Sequence, residues 1–377
     1  MKINEETKKW ASETLVKIDE KMRNSIKHCD IIPYTTENGR YAGHEESTWW
    51  TNGFFGGLMW LLYNDTKFEG YRETAEKNEK ILSDAFGHFD ELHHDVGFMF
   101  HLTCGANYQI TKNKASRNAN LIAASMLAAR YNIEGGYIRA WGNKPGNAFG
   151  EVSDGFTIID TMMNIPLLFW ASRETGDRRF AAIAEKHAEM AMRDHIRPDG
   201  SVVHIVMHDT KTGEVIKTVG GQGYGEGSAW SRGASWAVYG FALAYIHTGR
   251  EEFLDAAKRC AHYFVFSILD DDFVPRADFR APEEPVYIDT TAGAITACGL
   301  IEIARNVSEF ESGAYLSAAI KMLKGLEKHC DFDPNHDSCL QDGRECYNSP
   351  KNQHIIYGDF YLVDALSKLK GNDILLW

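Results

Sequence analysis

"YIHTGREEFLDAAKRCAHYF", residues 245–264, decides the fold. Before Gly249 the chain is apolar nearly all round and rich in Gly and Ala, as "SAWSRGASWAVYGFALAYIHTG" (228–249) shows. A helix with no polar face has to be buried. After Gly249 the pattern changes: Phe253, Ala256, Ala257, Cys260 and Phe264 recur at i, i+3, i+4 spacing on an otherwise charged segment. That is a helix with one buried stripe and one solvated face. The same pairing recurs in "LLYNDTKFEGYRETAEKNEK" (61–80) and "WASRETGDRRFAAIAEKHAE" (170–189). Weaker copies are "YQITKNKASRNANLIAASML" (108–127) and "IARNVSEFESGAYLSAAIKML" (303–323). In the clearer copies a Gly or Asn/Asp ends one helix, and an aromatic two or three residues later enters the next.

Two kinds of helix in alternation imply two layers, buried inside and solvated outside, with about twelve helices in all. Strand patterns are confined to short pieces such as "SVVHIVMH" (201–208). Repeated hairpins stack into an open solenoid or close into a ring. The turns fall irregularly, near positions 65, 112, 176, 249 and 307, without the tight period of a solenoid. We therefore expect an all-α protein, an (α/α)6 barrel of six hairpins with short β pieces in its loops. Residues 1–377 form a single domain on this reading, and an irregular helical domain is the alternative.

Composition narrows the function. Hydrophobic residues make up 44% and charged residues 25% of the chain, as in ordinary globular proteins. No apolar run approaches the ~20 residues needed to span a bilayer. The first twenty residues are charged throughout, with no signal-peptide core, so a cytoplasmic location is expected. The seven cysteines lack any C-x-x-C pair, which disfavours a disulfide framework or a zinc ribbon. A net charge of −13 argues against nucleic-acid or anionic-membrane partners, though not against a small anionic substrate met by local cations. Nothing implies a cofactor, and oligomeric state is not encoded legibly.

In a ring of hairpins the loops entering the inner helices line one mouth. Five such segments carry chemistry: "STWWTNGFFGG" (47–57), "HHDVGF" (93–98), "IRAWGN" (138–143) leading to "DGFTIID" (154–160), "GGQGYGEGSAWSRGASW" (220–236) and "CYNSPKNQHIIYGDF" (346–360). Asp95 has three readings: a helix N-cap worth about 1 kcal/mol, a metal ligand with His93 and His94, or a catalytic carboxylate. Adjacent side chains diverge, and no second ligand cluster is present, which disfavours the metal. Asp160 lies in "GFTIIDTMMNIPLLFW" (155–170), where nearly every neighbour is apolar. A carboxylate on such a helix is costly unless paired or put to use. Burial disfavours its charged form, as general-acid work requires; a structural pairing with Arg232 is the alternative.

At these residues the sequence resembles the unsaturated glucuronyl hydrolases, glycoside hydrolase family 88. The matching pieces are "WTNGF", "HHDVGF", "AWG", "IIDTMMNIPLLFWA" with "TGD", "GSAWSRGASWAVYGFAL", "DTTAGAITACGLIEIA" and "YGDFYLVDAL", in order from residue 50 to 366. The resemblance implies the six-hairpin barrel. It also implies hydration of the C4=C5 double bond of a non-reducing-end unsaturated uronic acid, the product of polysaccharide lyases. Asp160 matches the acid/base and Asp95 the second essential carboxylate, with His93 and His94 as scaffolding. His204, Gln222 and Arg232 match positions that meet the uronate carboxylate. The loop "TVGGQG" running from Thr218 through Gly220 to Gln222 offers backbone N–H groups to which a ligand can come close. Trp50, Trp141, Trp230 and Trp236 match aromatic walls.

Relatives that accept 6-sulfated fragments carry Ser-x-x-Ser-x-Lys before the last helix. "CYNSPK" keeps Ser349 and Lys351 but has Cys346 in place of the first serine. If the segment is extended, both side chains reach one anion. Three other readings share the features: a rhamnogalacturonyl hydrolase acting on pectin fragments, an inverting glycosidase using the two aspartates, and a non-catalytic glycan-binding protein.

Overall fold

The computed structural model describes residues 1–142, 153–372 and 374–377. Among them are twelve α-helices. The N-terminal α1 (Glu5–Ser25) is followed by five hairpins. These are α2 (Phe54–Thr66) with α3 (Glu69–Leu82), α4 (Ala106–Thr111) with α5 (Lys114–Ala128), and α6 (Pro166–Thr175) with α7 (Arg178–Asp194). Next come α8 (Ser231–Thr248) with α9 (Glu251–Phe266), and α10 (Thr290–Asn306) with α11 (Glu309–Glu327). A π-helical turn, Gly97–Gly105, runs directly into α4. The sixth pair comes from the two chain ends: α12 (Ile356–Lys370) packs against α1 and also touches α2 and α10, which closes the ring.

The two layers are those the periodicity predicts. Every residue from Ser231 to Ala244 in α8 and from Thr290 to Ala304 in α10 is buried. In α7, by contrast, only Ala181, Ala184, His187, Ala188, Met190 and Ala191 are buried, one stripe of a charged helix. Each large apolar side chain fully removed from water contributes about 1.5–3 kcal/mol, so the inner ring carries most of the stabilisation. Gly176 and Gly249 end α6 and α8 in the left-handed conformation, while Asp177 caps α7 by accepting from the Arg179 N–H at 3.0 Å. At two other turns Lys67 and Lys112 adopt that conformation. At the fifth turn the aromatic lies within the first turn of α11, but the Phe310 side chain is fully exposed.

Short strands decorate the mouth. β1 (Pro33–Glu37) pairs with β2 (Arg40–Gly43), and β3 (Tyr131–Asn132) with β4 (Tyr137–Ile138). A three-stranded antiparallel sheet joins β5 (Phe156–Ile158), β6 (Ile205–His208) and β7 (Val215–Val219). Among the described residues no helix is long and apolar enough to cross a membrane.

Candidate active site

The small sheet places the first functional pair. Ile158 pairs with Ile205, and the Ile159 N–H then donates to the His204 carbonyl at 3.1 Å, so Asp160 and His204 leave the sheet side by side. Asp160 sits in a 3-10 turn, Ile159–Met163, ahead of Pro166, which starts α6. This corrects the expectation of an aspartate on the inner helix itself. Its side chain is 13% exposed, and among the described residues its Oδ1 has no hydrogen-bond partner. His204 Nε2 stands 3.5 Å from that oxygen.

The imidazole is oriented from its other side. β7 returns beside β6, and the loop after it brings the Gln222 N–H to His204 Nδ1 at 3.0 Å. A backbone N–H can only donate, so a neutral His204 carries its proton on Nε2, facing Asp160. Gly221 makes the approach possible: its φ is +60°, and a Cβ there would lie 2.0 Å from His204 Nδ1. Within "TVGGQG" Gly221 therefore admits a histidine ring of the same chain, where ligand-facing N–H groups were expected. Thr218 is exposed on β7, and a Cβ at Gly220 would meet the Gly225 carbonyl oxygen at 2.1 Å.

Asp95 is held in the opposite manner. It caps no helix; its Oδ2 lies 3.1 Å from His93 Nδ1 and 3.3 Å from His94 Nε2, and its Oδ1 accepts from Asn164 Nδ2 at 3.0 Å. Adjacent side chains were expected to diverge. Instead both imidazoles turn to one carboxylate, bringing the three residues' donor atoms within 4.8 Å of one another. Both rings thus stand as ion-pair partners of the same oxygen, and His93 Nδ1 also accepts from the Asp95 backbone N–H at 3.4 Å. Thr161 Oγ1 lies 2.8 Å from His94 Nδ1, and its hydroxyl can donate or accept, so it pairs with that nitrogen in either tautomer. Burial keeps His94 neutral, with its pKa lowered to about 4. Burial alone would raise the Asp95 pKa, but His94, His93 and Asn164 outweigh it and hold the carboxyl below its usual range.

Asn164 escaped the sequence reading. Fully buried, it accepts from the Phe98 N–H at 2.7 Å and donates to Asp95 and to the Asp160 carbonyl, the latter at 3.2 Å. The signal was present: a lone amide in an apolar run is as anomalous as the lone carboxylate four residues earlier.

The tryptophans divide. Trp50 and Trp141 are half-buried, Trp50 packing on Phe98 and Tyr357 and Trp141 edge-on to His94. Trp230 is a backing for other side chains, with His204 at 4.3 Å and the Arg232 guanidinium at 4.4 Å from its ring. Trp236 has no exposed surface and packs on Phe98 and Tyr361, which places it under the floor and corrects its reading as a wall.

Arg232 also changes role. It pairs with Asp289, at 2.6 Å, rather than with Asp160, and donates to the carbonyls of Arg344 and Glu345. A buried guanidinium must satisfy its donors locally, and of these only Nε is left without a partner among the described residues. Asp289 was missed as well: it caps α10 through Thr291 and accepts from the Arg344 N–H. Gln222 Nε2 donates to the Glu345 carbonyl at 2.7 Å, so two of the three residues expected to meet a uronate, Arg232 and Gln222, brace the 344–345 segment, while His204 faces Asp160. Beyond it, Ser349 Oγ accepts from the Cys346 N–H at 3.0 Å within a turn, and Lys351 is exposed. The extended geometry expected of these residues is not adopted. "IRAWGN" and the "DGFTIID" approach are described except for residues 143–152, which include Asn143.

The chain is similar to known proteins over most of its length. The model of Glycosyl Hydrolase Family 88 matches residues 18–371. The chain is 35% identical over 367 residues to an unsaturated glucuronyl hydrolase from Bacillus sp. (strain GL1), covering 94% of this chain and 95% of that one. It is 35% identical over 341 residues to an unsaturated chondroitin disaccharide hydrolase from Streptococcus pneumoniae, covering 88% and 84%. A crystal structure of a mutant unsaturated glucuronyl hydrolase from Streptococcus agalactiae, complexed with dGlcA-GalNAc6S, superposes with a TM-score of 0.82 at 26% identity over the whole of both chains.

Proposed function

This chain belongs to Glycosyl Hydrolase Family 88, and on that premise we propose that Asp160 is its acid/base and Asp95 its fixed anion. The enzyme is a glycoside hydrolase acting on unsaturated oligosaccharides from polysaccharide lyases. Its substrates are glycosaminoglycan-type disaccharides with a 4,5-unsaturated uronic acid at the non-reducing end. One water adds across C4=C5: a proton goes to C4 and the water oxygen to C5, forming a hemiketal. Ring opening turns C5 into a ketone and C1 into a hemiacetal, which collapses to an aldehyde and releases the neighbouring sugar.

The observation that supports the assignment is the buried Asp160 Oδ1, unpartnered among the described residues and faced by His204 Nε2. A carboxyl without fixed donors is free to give its proton to C4 and then take one from the water adding at C5. Asp95, already surrounded by donors, instead holds ring hydroxyls. Trp50 and Trp141 flank the sugar, and Arg232 and Gln222 brace the 344–345 segment beside it. Residues 1–377 act as one catalytic domain, supported by the packing of α1 on α12. Seven free thiols suit a reducing compartment, so the proposal places the chain in the cytoplasm. Incubation with a lyase-generated chondroitin disaccharide tests the reading through loss of the ultraviolet absorbance of the conjugated double bond. Cleavage of saturated glycosides or pectin fragments instead, or binding without turnover, rejects it.

A further inference from the structure

We propose that Asn164 is a positioning residue for this reaction, a buried amide that locks the Asp95 carboxylate and the Asp160 backbone into one frame. The inference rests on the reading that these two aspartates serve the unsaturated uronide. Three hydrogen bonds carry it, and their donors and acceptors leave no choice of orientation. The Phe98 N–H can only donate, so the oxygen that receives it at 2.7 Å is Oδ1. The NH2 group must then face Asp95 Oδ1 at 3.0 Å and the Asp160 carbonyl at 3.2 Å, and both can only accept. One side chain thereby ties the "HHDVGF" segment to the turn that carries Asp160. Gly97 completes the fit: a Cβ there would lie 2.6 Å from both Asn164 Cα and Oδ1. The glycine that follows Asp95 and Val96 is therefore the space that Asn164 occupies.

The charged and titratable groups facing this frame are His93 and His94 beside Asp95, Arg130 from the end of α5, and His204, Arg232 and Tyr361 around Asp160. Among them Asn164 is the one neutral amide donor to Asp95, and its donation does not depend on pH. That property makes the role testable. Asn164→Asp keeps the oxygen that receives the Phe98 N–H and exchanges the NH2 for a second carboxyl oxygen. While that carboxyl is protonated it can still donate to Asp95. Once ionised it repels Asp95, because two carboxylates in contact cannot both hold charge comfortably.

The expected result for N164D is a new descending limb in the pH profile of kcat/KM, falling about tenfold per pH unit above the pKa of the shared pair. Asn164→Ala has no donor at any pH. It should lose kcat by roughly 10–150-fold, the equivalent of one charge-assisted hydrogen bond, without a new limb, and it carries the test should N164D fold poorly. Carbon-13 titration of the aspartate carboxyls reads the same frame without turnover, and the Asp95 resonance should titrate at higher pH in N164D than in wild type. A folded N164D with the wild-type profile and an unmoved Asp95 titration overturns the proposal, as does a folded N164A with wild-type kcat. Wild-type protein inactive on unsaturated disaccharides would instead sink the functional reading, leaving the titration to judge the frame.

Discussion

Asp95 and Asp160 stand at the same mouth, close enough to share one asparagine, yet their surroundings are opposite. Asp95 receives His93, His94 and Asn164, and its carboxyl is held as an anion. Asp160 has an oxygen with no hydrogen-bond partner among the described residues and one histidine 3.5 Å away. A carboxylate locked by donors orients; one left without them can change its proton. Division of labour between two carboxylates comes from environment and not from residue type.

The largest expected effect breaks the reactive member. Asp160→Asn keeps shape and removes the transferable proton, so kcat should fall ~100-fold to ~10,000-fold, the range of general acid–base catalysis. The melting temperature should barely move, because no donor loses its partner. A mutant that keeps near-wild-type turnover on an unsaturated disaccharide removes Asp160 from the chemistry.

Asp289 is the Asp95 type taken to its limit, a fully buried carboxylate paired with the fully buried Arg232. Arg232→Ala should destabilise the fold by about 3–5 kcal/mol, since it strands a charge. Removing both partners in R232A/D289A should cost less than the two single losses combined. Denaturant melts settle this. A stable R232A with a selectively raised KM would return Arg232 to the role of a direct uronate partner.

The third prediction separates the partners of Asp95 by pH. Burial lowers the His94 pKa to about 4 from the model-compound value of 6.5, so on acidification the unfolded chain takes up this proton first. The neutral ring's contribution is complete above ~pH 6.5 and is lost as pH falls towards 4, ~3 kcal/mol in total. The depressed Asp95 carboxyl contributes stability that is present above its unfolded pKa of ~3.9 and is lost only below that. Chemical melts across this range should therefore show two windows, and His94→Gln should flatten the upper one. His101, His187, His195 and His247, also lowered by burial, add to the same slope, so H94Q is expected to lessen it relative to wild type and not to abolish it. An unchanged slope in H94Q would mean that the ring is not held neutral.

Most of the architecture was legible because it depends on periodicity. The contrast between "SAWSRGASWAVYGFALAYIHTG" and the segment after Gly249 gave the layers, and five turns gave five hairpins. The sixth pair joins residues near 5 and near 370, a contact no local pattern records. In the site, Asp160 was legible as a carboxylate out of place, and Asp95 through the family resemblance of its motif. Asn164, Asp289 and the true partners of Arg232 were not, because a hydrogen bond between residues 57–113 positions apart leaves no spacing signature. The tryptophans show the same limit: their segments brought Trp50 and Trp236 to the mouth, but only packing tells that one is half-buried and the other has no exposed surface.

The smallest effect concerns the 346–351 segment ahead of α12, which carries no carboxylate of either kind. Ser349 was expected to join Lys351 in holding a 6-sulfate, a ligand group found in the dGlcA-GalNAc6S complex of the Streptococcus agalactiae relative. In this chain the Ser349 hydroxyl is already engaged by the Cys346 N–H at 3.0 Å and lies 3.3 Å from Cys346 Sγ. Lys351 is left as an exposed point charge. Such a charge contributes less than about 1 kcal/mol, and salt screens it over ~8 Å at physiological ionic strength. Lys351→Ala should therefore lower kcat/KM for 6-sulfated disaccharides by no more than about fivefold, leave unsulfated ones unchanged, and lose even that difference as salt rises. A loss beyond tenfold that is confined to the sulfated substrate would mean that the turn opens on binding and frees Ser349. Cys346→Ser would then be expected to deepen the preference, because a hydroxyl donates to sulfate where a thiol donates weakly.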